Sequence, residues 1–195
     1  MPEHKEILSN SQQGFSLIEL MVTLAIAGVL MMVGIPGFNE SIKSDRLTTN
    51  INGLFTSLNL ARSEAIKRNI PVTVKKTGAQ WESGWTVFTD NTGVSGVMDV
   101  TDELIRSYDA IPAGYTLRAT YTSFMTYQPT GISTNGSFVL CQNGTSSAPA
   151  ANTSKVVNVN SVGRAAIGGD SDNDGVPDIN DGTEITSCTT SPFTS

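Results

Sequence analysis

Eighteen acids against twelve Lys and Arg give this 195-residue chain a formal net charge of −6, which excludes the basic footprint of a dedicated nucleic-acid binder. Its single His is His4, inside a stretch read below as a removable leader, so the rest of the chain cannot build a Ser-His-Asp or Cys-His pair. Walker and dinucleotide glycine patterns are absent too, and the composition predicts no enzyme.

Residues 1–14 form a polar leader ending at Gly14, with His4 and Lys5 set against Glu3 and Glu6. It is barely basic, so charge bias gives only weak support for a cytoplasmic N-terminus. From 15 to 35 the only charged residue is Glu19, and the run is long enough to cross a bilayer, for which about 20 residues suffice. The run exceeds the ~7–15 apolar residues of a secretory signal, and no small-x-small site closes it. A carboxylate this far into the run costs on the order of 2.5–3.5 kcal/mol on insertion scales, so Glu19 needs a partner. If the chain is cut after Gly14, the new amine of Phe15 lies one helical turn from Glu19, and so does the same amine on a neighbouring copy. An ammonium–carboxylate pair between subunits would offset the cost and set the axial register of a filament. The alternative is an ordinary single-span anchor with a stray Glu.

Gly14-Phe15-Ser16-Leu17-Ile18-Glu19 resembles the cleavage and methylation motif of type IV prepilins and secretion pseudopilins. The resemblance implies removal of residues 1–14 by a prepilin peptidase at the inner membrane and N-methylation of Phe15. It also implies other pilins or pseudopilins as partners, and Pro36 falls where pilin helices commonly carry a proline.

Gly34-Ile35-Pro36-Gly37 predicts an interruption of the helix, as proline removes a donor and clashes with the preceding turn. Residues 36–70 continue into the head. Over 39–68, Leu47, Ile51, Leu54, Leu58, Ala61 and Ala65 form one apolar stripe, with Phe55 and Ile66 beside it and Asn52, Thr56, Asn59, Ser63 and Lys67 opposite. Ile70-Pro71 ends the helix. Strands are predicted at 71–76, 84–89, 103–108, 115–121, 124–127, 137–142, 155–160 and 164–167, the first two as a hairpin. Residues 146–153 predict a mobile loop. The class is α+β: a long N-terminal helix, half membrane-spanning and half amphipathic, packed on an antiparallel β-sheet head at 71–169. An acidic segment, 170–195, follows.

The helix end Ala61-Arg62-Ser63-Glu64-Ala65-Ile66-Lys67-Arg68-Asn69-Ile70-Pro71-Val72 resembles the GspH/FimT branch of minor pilins and pseudopilins. So do Gly84-Trp85-Thr86-Val87-Phe88-Thr89-Asp90 and Ser137-Phe138-Val139-Leu140-Cys141. The resemblance implies a β-rich head on the helix, a place at or near the tip of a type IV pilus or type II secretion pseudopilus, and a part in initiating assembly. Some members bind DNA in natural transformation through a Gly-Arg-x-Arg motif. Here the stretch reads Gly163-Arg164-Ala165-Ala166, leaving Arg164 as the one DNA contact it implies, beside a strongly acidic loop. Lys67, Arg68, Lys75 and Lys76 form a second basic group, read as solvated charge or as a patch for nucleic acid.

Cys141 and Cys188 are the only cysteines, and in an exported head they are expected to pair. Closing that loop would contribute roughly 4 kcal/mol in the chain-entropy model. The acids concentrate in Asp170-x-Asp172-x-Asp174-Gly175-Val176-x-Asp178-x-x-Asp181. Oxygen ligands at loop positions 1, 3, 5, 9 and 12, with glycine at 6 and the Val176 carbonyl at 7, follow the spacing of a calcium-binding loop, Asp181 standing where Glu is usual. The bland reading is a solvated acidic loop. The weaker run from Asp90 through Asp99 to Glu103 reads as a solvated hairpin turn, and Trp81, Trp85 and Phe88 as core or hairpin aromatics. Mass spectrometry of the protein from its native membrane is expected to find a mature chain starting at N-methylated Phe15; any other start would speak against the prepilin reading.

Overall fold

In the computed structural model, residues 14–91, 93–144, 147–180 and 182–189 are described, the side chains of 33–37 excepted. The chain divides into two compact units, Met1–Ser41 and Ile42–Ser195. Helix α1, Leu17–Arg68, contributes to both. The stretch 34–37, where a kink or a melted segment is expected, is not melted: α1 runs on through Pro36. A proline removes one i→i−4 bond, and in a helix of 52 residues the turns on either side remain intact. Ser16 starts α1, its Oγ accepting the Glu19 N–H at 3.2 Å and its carbonyl the Leu20 N–H at 3.2 Å, an N-cap in the usual sense. The C-terminus comes at Arg68 because Asn69 turns into the left-handed region at φ 56. Among the described residues no helix is long and apolar enough to cross a membrane.

Within the second unit, all six stripe residues from Leu47 to Ala65 are buried, as the i, i+3, i+4 spacing requires. Eight strands follow: β1 (Val72–Lys76), β2 (Trp85–Thr89), β3 (Leu104–Tyr108), β4 (Tyr115–Ala119), β5 (Phe124–Tyr127), β6 (Gly136–Gln142), β7 (Ser154–Val159) and β8 (Ala165–Ile167). They form two antiparallel sheets rather than one, ordered β3-β2-β1-β5 and β4-β6-β7-β8. Val74, Val87 and Met125 from the first sheet and Leu117, Phe138, Leu140 and Val157 from the second share one core with the helix stripe. A short 3₁₀ turn, Trp81–Ser83, seats Trp81 against Phe138, edge to face at 4.9 Å.

A buried hydroxyl ties helix to sheet. Ser57 Oγ donates to the Leu54 carbonyl at 2.7 Å and accepts the Trp85 indole N–H at 2.9 Å. Periodicity assigns Ser57 to no stripe, yet it is fully buried, because the indole supplies the partner that a polar atom in a core requires. Ser57→Ala is expected to lower stability by about 1–3 kcal/mol by orphaning that N–H. A urea melt checks this, and an unchanged midpoint would mean the indole finds another acceptor.

Candidate functional site

Two places collect the residues that the sequence singles out. The first is the start of α1. Gly14 and Phe15 precede the helix, and Phe15 is 85% exposed. Glu19 sits in the first turn, where a carboxylate faces the positive end of the helix dipole. Ser16-x-x-Glu19 is therefore also a helix-start signal of the Ser-x-x-Glu type, a role for Glu19 that the apolar-run reading overlooks. Leu17, Ile18, Met21, Leu24 and Leu30 on the same helix are exposed.

The second place is the acidic loop. Ligand-capable oxygens of Asp170, Asp172 and Asp174 lie within 4.8 Å of one another. The turns that bring them there are backbone-driven. Asp170 Oδ1 accepts the Asn173 N–H and Oδ2 the Gly175 N–H, each at 2.8 Å, and Asp174 Oδ1 accepts the Val176 N–H at 2.7 Å. Asn173 and Gly175 take φ values of 63 and 91, the conformation for which glycine carries no steric penalty. Desolvation pushes the Asp170 carboxyl up, but the N–H donors led by Gly175 and Asn173 outweigh it and hold the group below the ordinary carboxylate range. Asp178 joins through the Ser171 N–H at 3.0 Å. Val176 buries its side chain, and Asp181 lies outside the described residues.

Glu184, which lies beyond the twelve-residue loop, returns to it. It forms a β-bridge with Asp178, and its carboxyl is pushed up by a hydrogen bond with Asp172 and by the charges of Asp174 and Asp172. The three carboxylates that converge, Asp170, Asp172 and Asp174, are hard oxygen donors, the kind a calcium ion takes rather than a thiophilic metal.

This segment is not an appended tail. The disulfide Cys141–Cys188, Cα–Cα 6.0 Å, fastens its far end to β6. Val176, Ile179, Ile185 and Cys188 then form a second small core with Val139, Cys141 and Val156 on the outer face of the β6–β7 sheet. The stretch read as a mobile loop meets it as well, Asn152 N–H donating to the Gly175 carbonyl at 2.7 Å.

The other candidates are scattered. Arg164 is exposed, its N–H donating to Asn160 Oδ1 at 2.8 Å. Gly163 before it turns at φ 74, and any Cβ there would collide with the Gly131 carbonyl; the glycine is explained by packing. Of the basic group, Arg68 bonds Glu64 and Glu103, each at 2.6 Å, and both hydrogen bonds, Glu103 first, raise it above its ordinary value. Lys67 lies 3.5 Å from Glu64 and Lys76 donates to the Ala79 carbonyl at 2.7 Å. The solvated turn expected after β2 also differs. Asp90 is buried, Oδ2 accepting the Thr73 hydroxyl at 2.6 Å and the Gly96 N–H at 2.8 Å, which pins the loop onto the sheet.

Arg62 takes a part that no sequence pattern assigns to it. Its Nε donates to the Gly131 carbonyl at 3.0 Å and its Nη2 to the Val162 carbonyl at 3.1 Å, holding a loop from each sheet against the helix. A long cation one position from the buried Ala61 is the signal that could have found it.

Comparison with known proteins bears on the family and the fold. The model of the family described as type II transport protein GspH matches residues 50–163, and the prokaryotic N-terminal methylation motif matches residues 9–35. The chain is 41% identical over 44 residues to the type IV major alpha-pilin of Moraxella bovis, covering 23% of this chain and 27% of that protein. It is 38% identical over 56 residues to a fimbrial protein of Moraxella nonliquefaciens, covering 27% and 36%. Among solved structures, its fold is similar to the type IV minor pilin FimU of Pseudomonas aeruginosa, with a TM-score of 0.52 at 21% identity over 63% of this chain and 88% of that one.

Proposed function

Because the chain belongs to the GspH family of type II transport proteins, we propose that it is a minor pilin or pseudopilin that helps initiate or cap a type IV pilus or type II secretion pseudopilus. The observation that carries this reading is the helix start: a single acid, Glu19, in the capped first turn of a helix whose large apolar side chains from Leu17 to Met32 are exposed. Surface of that kind demands burial. A bilayer provides it before assembly, with the head on the periplasmic side of the inner membrane, and neighbouring helices provide it afterwards.

Mechanism follows from charge. A prepilin peptidase cuts after Gly14, and methylation leaves the Phe15 amine cationic. That amine meets Glu19 of a neighbouring subunit where little water competes, so the pair is stronger than on a wet surface and only one axial offset satisfies it. The head, one rigid packing of helix on two sheets, then meets other minor subunits. No catalytic step is assigned to the chain. DNA uptake, the runner-up, has no observation in its favour: Arg164 stands without the second arginine and Gly163 is accounted for by packing.

We further propose that Asp170, Asp172, Asp174, Asp178 and the Val176 carbonyl, with Asp181 or Glu184 completing the set, hold a calcium ion. Bound calcium would neutralise the carboxylates and stiffen the segment closed by Cys141–Cys188.

In a strain lacking the gene, the wild-type chain is expected to restore fibre assembly or secretion, and Glu19→Ala to lose most of it. Unimpaired incorporation of Glu19→Ala would remove the charge-pairing mechanism. Millimolar calcium is expected to raise the melting temperature of the oxidised protein and EDTA to lower it, with Asp172→Asn abolishing the difference. A melting curve indifferent to calcium ends that proposal.

A further inference from the structure

A cleft of about 360 Å³ opens between the end of β1, in the first sheet, and β4, in the second. Lys76 closes β1 on one side, and Arg118, Thr120 and Thr122 come from β4 and the turn after it. Gln80 and Trp81, at the 3₁₀ turn, form the wall between them. The volume is within the ~300–1,000 Å³ usual for small-ligand sites. Two cations line this cleft, and no Asp or Glu does.

Arg118 is held from one side only. Its Nη1 donates to Glu82 Oε2 and, at 3.0 Å, to the Leu117 carbonyl, which uses both hydrogens of that nitrogen. Glu82 Oε2 is itself fixed by the Leu117 N–H at 3.4 Å. The guanidinium is thus oriented before any ligand arrives, so binding costs it little side-chain freedom. Nε and Nη2 have no hydrogen bond among the described residues. Together they make the flat pair of donors that matches the two oxygens of a carboxylate. Lys76 Nζ donates to the Ala79 carbonyl at 2.7 Å, leaving its other ammonium hydrogens, and it meets no carboxylate among the described residues. Thr120 Oγ1 accepts the Ser137 N–H at 3.0 Å and keeps its own hydrogen to donate.

We infer that this cleft binds a carboxylate, held by the Nε–Nη2 edge of Arg118 and by Lys76. Charge sets the class of ligand: Lys76 and Arg118 against Glu82 leave one positive charge, which a single carboxylate neutralises. A phosphate monoester brings close to two negative charges and would repel Glu82 with the excess. Around the anionic group, Gln80, Thr120 and Thr122 offer an amide and hydroxyls to the rest of the ligand, so a polar body such as a peptide unit suits the space better than a hydrocarbon. The inference goes beyond the assembly reading and does not depend on Glu19, the membrane or calcium.

The test uses the isotope-labelled full chain in detergent micelles without calcium, and follows the Arg118 Nε–H and the Thr120 and Thr122 amides by NMR. Two probes are titrated in. Acetyl-glutamate-N-methylamide presents the side-chain carboxylate of a protein partner, and acetylglycine a chain-terminal or free small acid; the one that saturates at lower concentration identifies the source. Saturable shifts at these three signals are expected, and none from acetyl-glutamine-N-methylamide, which keeps the shape without the charge. Lys76→Gln should weaken binding about tenfold, as loss of a charged hydrogen bond does, with an unchanged melting midpoint. Arg118→Lys keeps the charge but loses the paired donors and should weaken it by a similar factor. No shift at tens of millimolar of either acid, equal shifts from the glutamine analogue, unchanged affinity in Lys76→Gln, or tighter binding of methyl phosphate than of both acids would each overturn the inference.

Discussion

The head rests on one seam: the stripe from Leu47 to Ala65 buried against the inner faces of two sheets at once. Burying a Leu or Ile side chain is worth about 1.5–3 kcal/mol, and the seam does it four times over with Leu47, Ile51, Leu54 and Leu58. Ala61 and Ala65 then let the backbones approach near the helix end. Neither four-stranded sheet could cover its apolar face alone, so the helix is what makes the two sheets a single core. Polar contacts refine this seam rather than create it. Ser57 and Arg62 reach groups on the sheets and their loops that apolar side chains would have left unbonded.

The same helix belongs to a second compact unit whose apolar side chains are exposed. Two environments along one helix explain why its composition changes near residue 40: no charge but Glu19 from 15 to 35, then a stripe with a polar opposite face. An element of this kind carries a stripe buried inside the chain and, further towards its start, apolar side chains that are exposed. That division is the physical basis for a subunit whose fold is complete in the head while its stability in an assembly depends on neighbours.

Behind the second sheet, the C-terminal segment adds a layer. β6 is buried along nearly its whole length because Phe138 and Leu140 face the helix while Val139 and Cys141 face Val176, Ile179, Ile185 and Cys188. A strand covered on both faces loses its alternation, and its apolar run is the trace left in the sequence. The acids are thereby held at a fixed place on the head, their loop anchored by Val176 within and by the disulfide beyond.

Local physics made much of this legible in the sequence. The spacing of the helix stripe, the β-branched clusters between turn residues and the cysteine pair each express a constraint acting over a few residues or on the whole composition, and the eight strands lie where those patterns put them. The motif from Gly14 to Glu19 lies inside the matched N-terminal methylation motif, and Asp170, Asp172 and Asp174 of the acidic run come within 4.8 Å of one another. What only the tertiary structure decided were contacts between distant segments: two sheets instead of one, Asp90 turned inward to Thr73, Glu184 brought back to Asp172, Arg62 spanning Gly131 and Val162, and the helix running through Pro36. Nothing in a linear pattern encodes these, because each depends on where another stretch of chain, tens of residues away, finds its own lowest free energy.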